Sequence, residues 1–516
     1  MKNKSLGTLI NRFGSSIVKT IEEDICRHFV EWRGTYHGSS PAVLYPQNAK
    51  EVSEMVNIIR NNNEHIITQG GNTGLCAGST PHAASMISTP FSSLTNATEY
   101  VLSTEKMQNV RSIDLKNSAI TIDAGVTLLK VQETALENGT YFPLSLASEG
   151  TAHIGGTIAT NAGGTGCIKY GNMRNLVLGL EYVTADGCIH SSLSPLRKDN
   201  TGYDLKQLII GSEGTLGIVT GATLKLYPKP THIQTIMCLV ETPSKAVEVL
   251  ETLQHGSSGG SGGALSMFEL IPSLGIQAVC SFIPSCRDPF LISSIGGERY
   301  TSSGIDVGRN YWYLLIEFES NDNSNNSSNS SNSSNSSSSK GMVEKCLEDL
   351  YNSSLILDGV IAEDSSQASS LKALRENLSD ASNSLGASIK HDISLPIHQI
   401  PSFLKDAGEI VHRITPDARP VPFGHLGDGN LHYNVSQPLN MSREMFLEKA
   451  PTMTEEVHRL VVDKYQGSFS AEHGIGLIKV PDMLRFKSEA DLNMMRSIKR
   501  TLDPTNLLNP GRVVPM

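Results

Sequence analysis

The chain is 516 residues long, enough for two or three domains that each bury a core. Its formal net charge of −10 excludes nucleic acid or an anionic membrane surface as a general partner. No stretch approaches the roughly 18 uninterrupted apolar residues of a membrane span, and eight scattered cysteines without a Cys-x-x-Cys pair fit free thiols in a reducing, intracellular compartment.

Residues 1–21 carry Lys2, Lys4, Arg12 and Lys19 and no acid. Leu6, Leu9, Ile10, Phe13 and Ile17 fall on one side of a helix, which predicts a basic amphipathic presequence for mitochondrial import or else an ordinary first helix. From Ala42 onward strands and helices alternate. Val43-Leu44-Tyr45 reads as a short strand, and Asn48 with Glu51 three residues on reads as a capping box. The helix it opens carries Val52, Met55, Val56 and Ile59 at core spacing. Residues 65–68 and 119–123 read as strands, and Thr127 caps a helix that ends at Asn138-Gly139. Residues 176–184 and 188–192 form a hairpin about Ala185-Asp186-Gly187, and 218–227 closes the region as a strand.

Three glycine-rich stretches lie beside these strands: Gln69-Gly-Gly-Asn-Thr-Gly74, Ser148-Glu-Gly-Thr-Ala-His-Ile-Gly-Gly156 with Thr160-Asn-Ala-Gly-Gly164, and Gly211-Ser-Glu-Gly-Thr-Leu-Gly217. Glycine lets the backbone approach a ligand closely and turn its N–H groups toward phosphate oxygens. Each stretch alone could be a structural turn, but three in this span point to a large phosphate-bearing cofactor. None reads Gly-x-Gly-x-x-Gly between a strand and a helix, and there is no Walker lysine loop, so Rossmann and P-loop sites are disfavoured. Residues 198–204 are polar and turn-rich, a loop or a cofactor edge.

The second half begins near Thr231. Residues 256–263 read as a flexible surface loop. Residues 320–339, almost wholly Asn and Ser, read as a disordered insertion between a strand at 311–317 and a helix starting near Met342. A helix around 371–376 and a strand at 389–393 place Arg375 and Lys390, which could converge on an anionic group or remain solvated charges. A polar helix around 453–465 precedes the last segment, which ends in Ile498 to Leu502 and then Asp-Pro-Thr-Asn-Leu-Leu-Asn-Pro510.

The chemistry concentrates in Pro422-Phe-Gly-His-Leu-Gly-Asp-Gly-Asn-Leu-His-Tyr-Asn434. Asp428-Gly429 is a strong signal for a type I′ hairpin turn. Pairing outward from it sets His425 opposite His432, at a Cβ separation of roughly 4.5–5.5 Å that lets two imidazoles share a metal ion. A helix would also align residues seven apart, but Gly427 and Gly429 argue against one. Asn434 would point to the same side as His432. Ser470-Ala-Glu-His-Gly-Ile-Gly476 offers a carboxylate from Glu472 and, beside it, a base in His473. Two His and one carboxylate leave coordination positions open, as a catalytic zinc or iron requires.

The glycine loops, Lys198-Asp-Asn-Thr-Gly-Tyr-Asp-Leu-Lys-Gln-Leu208, Gly424-His-Leu-Gly-Asp-Gly-Asn-Leu-His432, Ala471-Glu-His-Gly474 and Leu508-Asn-Pro510 together resemble the FAD-linked D-2-hydroxy acid dehydrogenases. The resemblance runs from about residue 33 to the end, outside 256–263 and 320–339. It implies an α+β fold. Residues 33–230 would be a PCMH FAD-binding domain of the vanillyl-alcohol-oxidase type, and 231–460 a substrate or cap domain with an antiparallel sheet. Residues 461–516 would be a helical C-terminal segment returning to the flavin, and 1–32 an N-terminal extension.

Relatives with a covalent flavin carry a His after the first Gly-Gly; Asn72 stands there in this chain, which implies non-covalent FAD. Carried over residue by residue, the resemblance assigns FAD to Gly70, Gly71, Asn72, Thr73, Gly74, Gly150, Thr151, Gly155, Gly156, Asn161, Gly163, Glu213, Gly214, Ile218 and Asn509. It assigns a metal, expected to be zinc, to His425, His432 and Glu472. His473 would be the catalytic base, and Asn434, Arg375, Lys390 and Ser379 would join it in binding substrate, Ser379 standing where the family often has Thr.

The implied reaction is oxidation of D-2-hydroxyglutarate to 2-oxoglutarate. In that reaction a metal would hold the 2-hydroxyl and C1 carboxylate, His473 would take the hydroxyl proton, and C2 would pass a hydride to flavin N5. Oxidation of D-lactate, or transhydrogenation with a 2-oxo acid, is the alternative within the family, and a metal-binding scaffold without oxidoreduction the alternative outside it. The resemblance further implies an electron-transfer flavoprotein as acceptor, a homodimer and the mitochondrial matrix.

Overall fold

A computed structural model describes residues 3–82, 98–256, 264–291, 293–295, 298–300, 310–321 and 339–516. The chain falls into two units: residues 1–164, 171–228 and 472–516 form the first, and residues 165–170 with 229–471 form the second.

The first unit is built on two main sheets. In one, Val43–Leu44, Glu99–Ser103 and His65–Gln69 run parallel, and Val18–Lys19 closes the edge antiparallel. The other is antiparallel, in the order Val110–Asp114, Ala119–Asp123, Ile218–Lys225, Val177–Val183, Ile189–Ser192. The local signals are met by local chemistry. Asn48 accepts from the N–H groups of Lys50 and Glu51 and starts the helix Ala49–Arg60, whose Val52, Met55, Val56 and Ile59 are buried. Thr127 accepts from the Lys130 N–H and starts Leu128–Glu137. Gly187, at φ 83°, turns the hairpin between Val177–Val183 and Ile189–Ser192. The loop at 198–204 is exposed.

The basic amphipathic start folds as the helix Leu6–Phe13. Leu9 is wholly buried in one core with Val52, Met55, Ile59, Ile66 and Tyr100, and Leu6, Ile10, Phe13 and Ile17 pack against it. Glu64 accepts from the N–H groups of Lys4 and Ser5. This basic amphipathic segment packs as a layer of the first unit's core.

The second unit holds a four-stranded antiparallel sheet, Ala264–Pro272, Trp312–Ser320, His232–Val240 and Asp358–Ile361, and a three-stranded sheet with Asn430–Ser436 between Ser388–Ser394 and Arg419–Phe423. Pro420 and Pro422 lie in the edge strand Arg419–Phe423, where a missing N–H costs least. Residues 461–471, expected with the C-terminal segment, belong here because Val461 and Tyr465 extend the buried face of Met453 and Val457. Of the two expected insertions, 257–263 and 322–338 lie outside the described residues. Among the described residues no cysteine is in a disulfide, and no helix is long and apolar enough to cross a membrane.

Candidate active site

In the second unit, the alternation in Asn430-Leu-His-Tyr-Asn-Val-Ser436 gives the middle strand two unlike faces. Leu431, Tyr433 and Val435 point into the core with Ile389 and Ile393 of the neighbouring strand. Asn430, His432 and Asn434 point the other way, opposite Ser394, Asp392 and Lys390 in one ladder, with Phe423 opposite His432 in the other. Lys390 is exposed on this polar face, and Asp392 and Asn434 are buried. His432 Nδ1 lies 3.8 Å from Asp392 Oδ1. Asp392 also accepts from Asn430 Nδ2 at 3.0 Å and from the Ala471 N–H at 3.1 Å.

His425 reaches this face by another route. Gly424 exchanges backbone hydrogen bonds of 2.9 and 3.0 Å with Leu270. Only glycine fits there, since a Cβ would lie 2.6 Å from the Asn430 carbonyl oxygen. The bridge sets Glu269 beside His425: the His425 Nδ1–H donates to Glu269 Oε1, and Arg375 Nε donates to Oε2 at 2.5 Å. Burial alone would raise the Glu269 carboxyl, but the Arg375 charge and His425 bring it down to about 2. A histidine whose Nδ1–H is committed to a carboxylate keeps Nε2 for a metal, the arrangement seen around metal-ligating imidazoles. The His425 and His432 rings are 5.8 Å apart. The Arg375 guanidinium lies 4.9 Å from the Phe423 ring, which in turn is 5.2 Å from His432.

Two expectations need correcting. The hairpin turn is a 3₁₀ turn over Leu426–Asp428 closed by Gly429 in the left-handed region, not a two-residue type I′ turn. A type I′ turn needs positive φ at both central residues, and of Asp428 and Gly429 only Gly429 has it. Phe423, not His425, therefore stands opposite His432, and His425 approaches from the loop. Arg375, expected only as a substrate clamp, has its Nε on Glu269; Ser379 is exposed in the next helix, Leu378–Ala381. Glu269 and Asp392 were missed. The signal for Glu269 is a lone carboxylate among apolar strand neighbours, Met-Phe-Glu-Leu-Ile; Asp392, in Lys-His-Asp-Ile, has only its place within a strand.

The second unit ends beside the same sheet. Ser468 bridges Ser394, and Ala471 is anchored on Asp392. Asp392 and His432 stand on this sheet of the second unit, and Glu472 and His473 follow Ala471 directly in the chain. Glu472 opens the last segment of the first unit, where its Oε1 lies 3.7 Å from His473 Nε2.

Within the first unit the glycine loops meet. A Cβ on Gly70 would lie 3.4 Å from Gly156 Cα, and one on Gly71 would collide with the Thr151 carbonyl. Gly155 packs on Ala124, while Gly74 and Gly150 face open space. Gly211 and Glu213 donate their N–H groups to the carbonyls of Ile158 and Ala159 at 3.1 and 2.8 Å. Asn509 accepts from the Thr68 N–H at 2.8 Å and donates to the Glu213 carbonyl at 2.7 Å. Asn72, Asn161, Glu213 and Asn509 all have left-handed backbones, a concentration of costly conformations of the kind found at ligand clamps. Thr73 and Gly163 lie in these loops, and Ile218 opens the strand that follows. The convergent backbone, open at Gly74 and Gly150, fits a phosphate-bearing cofactor. Asn72 has no nucleophilic atom and donates its amide to the Val30 carbonyl.

Residues 229–513 match the model of the FAD linked oxidases, C-terminal domain, and residues 40–192 that of the FAD binding domain. The chain is 33% identical over 504 residues, 97% of its length and 80% of the relative's, to the probable mitochondrial D-2-hydroxyglutarate dehydrogenase of Oryza sativa subsp. japonica. It is 30% identical over 94% of its length to the D-2-hydroxyglutarate dehydrogenase of Stutzerimonas stutzeri (strain A1501), covering 93% of that protein. Among solved structures, p-cresol methylhydroxylase with substrate bound superposes with a TM-score of 0.72 at 16% identity, covering 99% of this chain and 96% of that one. An alkyldihydroxyacetonephosphate synthase gives 0.70 at 18%, covering 99% and 86%. These two likenesses establish the fold, a PCMH-type FAD-binding domain with an FAD-oxidase C-terminal domain. With both domain models and relatives matched along nearly its whole length, the chain belongs to the family of FAD-linked D-2-hydroxy acid dehydrogenases and is an FAD-dependent dehydrogenase acting on a CH–OH group.

Proposed function

We propose that the chain oxidises D-2-hydroxyglutarate to 2-oxoglutarate, the reading carried by the Arg375–Glu269–His425 chain beside His432 on the polar sheet face. When bound, FAD supplies the hydride acceptor and a divalent metal, zinc in this reading, supplies a Lewis acid for the 2-hydroxyl. His425 and His432 offer ring nitrogens to that metal, and Glu472 offers a carboxylate oxygen. Glu269 orients the His425 imidazole by hydrogen bond, and Asp392 lies beside His432 at 3.8 Å. His473 accepts the proton of the substrate 2-hydroxyl on a ring nitrogen.

Arg375, its Nε on Glu269, presents the Nη end of its fork to the distal carboxylate; Lys390 and Asn434, opposite each other in the ladder, complete that end, with Ser379 at its edge. The flavin is held without a covalent bond in the cradle of residues 70–74, 150–163 and 214–218 with Asn509. Its electrons pass to an electron-transfer flavoprotein, and the mitochondrion is the proposed compartment, as the names of the plant and animal relatives state for those proteins.

The test is His432→Ala. Purified protein should keep its flavin absorption and lose both bound metal and flavin reduction by D-2-hydroxyglutarate. Full reduction in a metal-free variant would remove the metal from the reaction.

A further inference from the structure

We propose that Glu213 is a positioning residue for the base, its carboxylate seating the loop that carries His473 rather than touching the cofactor as the family resemblance implies. Both groups belong to the first unit. The Glu213 carboxylate accepts the N–H groups of Ile475 and Gly476 through separate oxygens, each at 2.7 Å. It lies flat against Gly474, where a Cβ would come within 2.6 Å of Oε1, and faces Gly78 from the other side at 3.3 Å for a Cβ there. Gly474 and Gly476 both have positive φ, so the loop takes a path that side chains at those positions would strain.

The seat itself is rigid. Glu213 has a left-handed backbone, its N–H is held by the Ala159 carbonyl and its carbonyl by Asn509 Nδ2. Lys499, buried, donates to the carbonyls of Thr215 and Leu508 at 2.8 Å, so the two chain segments flanking Glu213 and Asn509 are tied by a third group. Beyond the seat, Leu477 donates to the Cys76 carbonyl at 2.8 Å and Val513 to the Gly476 carbonyl at 3.0 Å. His473 is therefore followed within three residues by a two-point grip. An ionised carboxylate is the one side chain that accepts both N–H groups with no donor of its own. Glutamine would keep one acceptor and turn an NH₂ toward the other N–H, and alanine would leave two donors unmatched.

This role rests on the reading of His473 as the base, so the experiment separates the two. FAD-loaded wild type, Glu213→Gln, Glu213→Ala and His473→Ala are compared by flavin content, by anaerobic flavin reduction over a range of D-2-hydroxyglutarate concentrations, and by amide exchange of the 472–478 peptide. Displacing a base by about 1 Å costs about 100-fold in rate. Glu213→Ala should therefore keep its FAD, reduce about 100-fold more slowly at saturation and change the apparent substrate Kd less than about 3-fold; Glu213→Gln should recover about tenfold of that loss. Exchange at Ile475 and Gly476 should accelerate in both variants. If Glu213→Ala fails to fold, Glu213→Gln decides by the same readings. Loss of FAD with a wild-type rate in the loaded fraction would make Glu213 a cofactor residue and overturn the proposal, as would unchanged exchange at 475–476. A wild-type rate in His473→Ala would instead overturn the base assignment, while the exchange reading still reports the seat.

Discussion

At position 269 a carboxylate lies in a strand whose neighbours are Met267, Phe268, Leu270 and Ile271. Such a group stays ionised only with partners, and it has two, Arg375 and His425. In Glu269→Gln the amide no longer orients His425 as strongly, and metal affinity should fall about 10- to 100-fold, read by competition with a chelator, while FAD content holds. The same geometry shapes the test of Arg375. Removing it disturbs Glu269 and hence His425 for any substrate, so the ratio of two substrates isolates its direct role. Arg375→Ala should weaken D-2-hydroxyglutarate turnover far more than D-lactate turnover, and equal losses would withdraw Arg375 from the distal carboxylate. The two histidines, the Glu472-His473 pair and Arg375 were legible as residue types in short motifs. Glu269 was not, because its partner His425 is 156 residues away and pairing at that distance leaves no periodic trace.

Helices and strands with a local cause were read well. The caps at Asn48 and Thr127 and the two-residue alternation through His432 carry their own chemistry, and the structure uses each as written. The turn at 424–429 departed from expectation because a tertiary contact, the Gly424–Leu270 bridge, outweighs the preference of Asp-Gly for a tight turn. The first helix shows the other limit: a basic amphipathic face looks the same whether it serves import or packing. Leu9 is 0% exposed in that packing. Leu9→Ala should cost about 2–5 kcal/mol of stability by loss of buried contact and cavity formation, measured by chemical denaturation of the flavin-loaded protein. A cost near zero would show that this packing contributes nothing to stability.

Over the whole chain, the sequence order of motifs carried the two-part architecture, whereas the exact division depended on packing that motifs do not encode. The end of the chain is a case in point. Arg512, wholly buried, donates to the carbonyls of Pro510 and Thr80 and lies 3.6 Å from Glu99, which His82 also contacts at 2.5 Å. Burial would raise the Glu99 carboxyl, but Arg512 and His82 bring it from 4.5 to about 2. A depressed carboxyl stabilises the fold fully above its unfolded value and loses that contribution as pH falls toward the folded one. The first unit should therefore lose stability between pH 4.5 and 2. Arg512→Met, which strands a buried carboxylate, should cost about 3–5 kcal/mol at neutral pH and flatten that acid slope. An unchanged slope would show that the pair does not govern it.

The central claim is that this flavin is reduced by the D-enantiomer of a five-carbon dicarboxylic 2-hydroxy acid. Anaerobic titration of the purified protein with D-2-hydroxyglutarate, L-2-hydroxyglutarate and D-lactate, followed at the flavin absorption band, tests it most directly. Rapid bleaching by D-2-hydroxyglutarate, with little by the other two, is the predicted result. Preferential bleaching by D-lactate, or none by any of the three with FAD and metal bound, would contradict it.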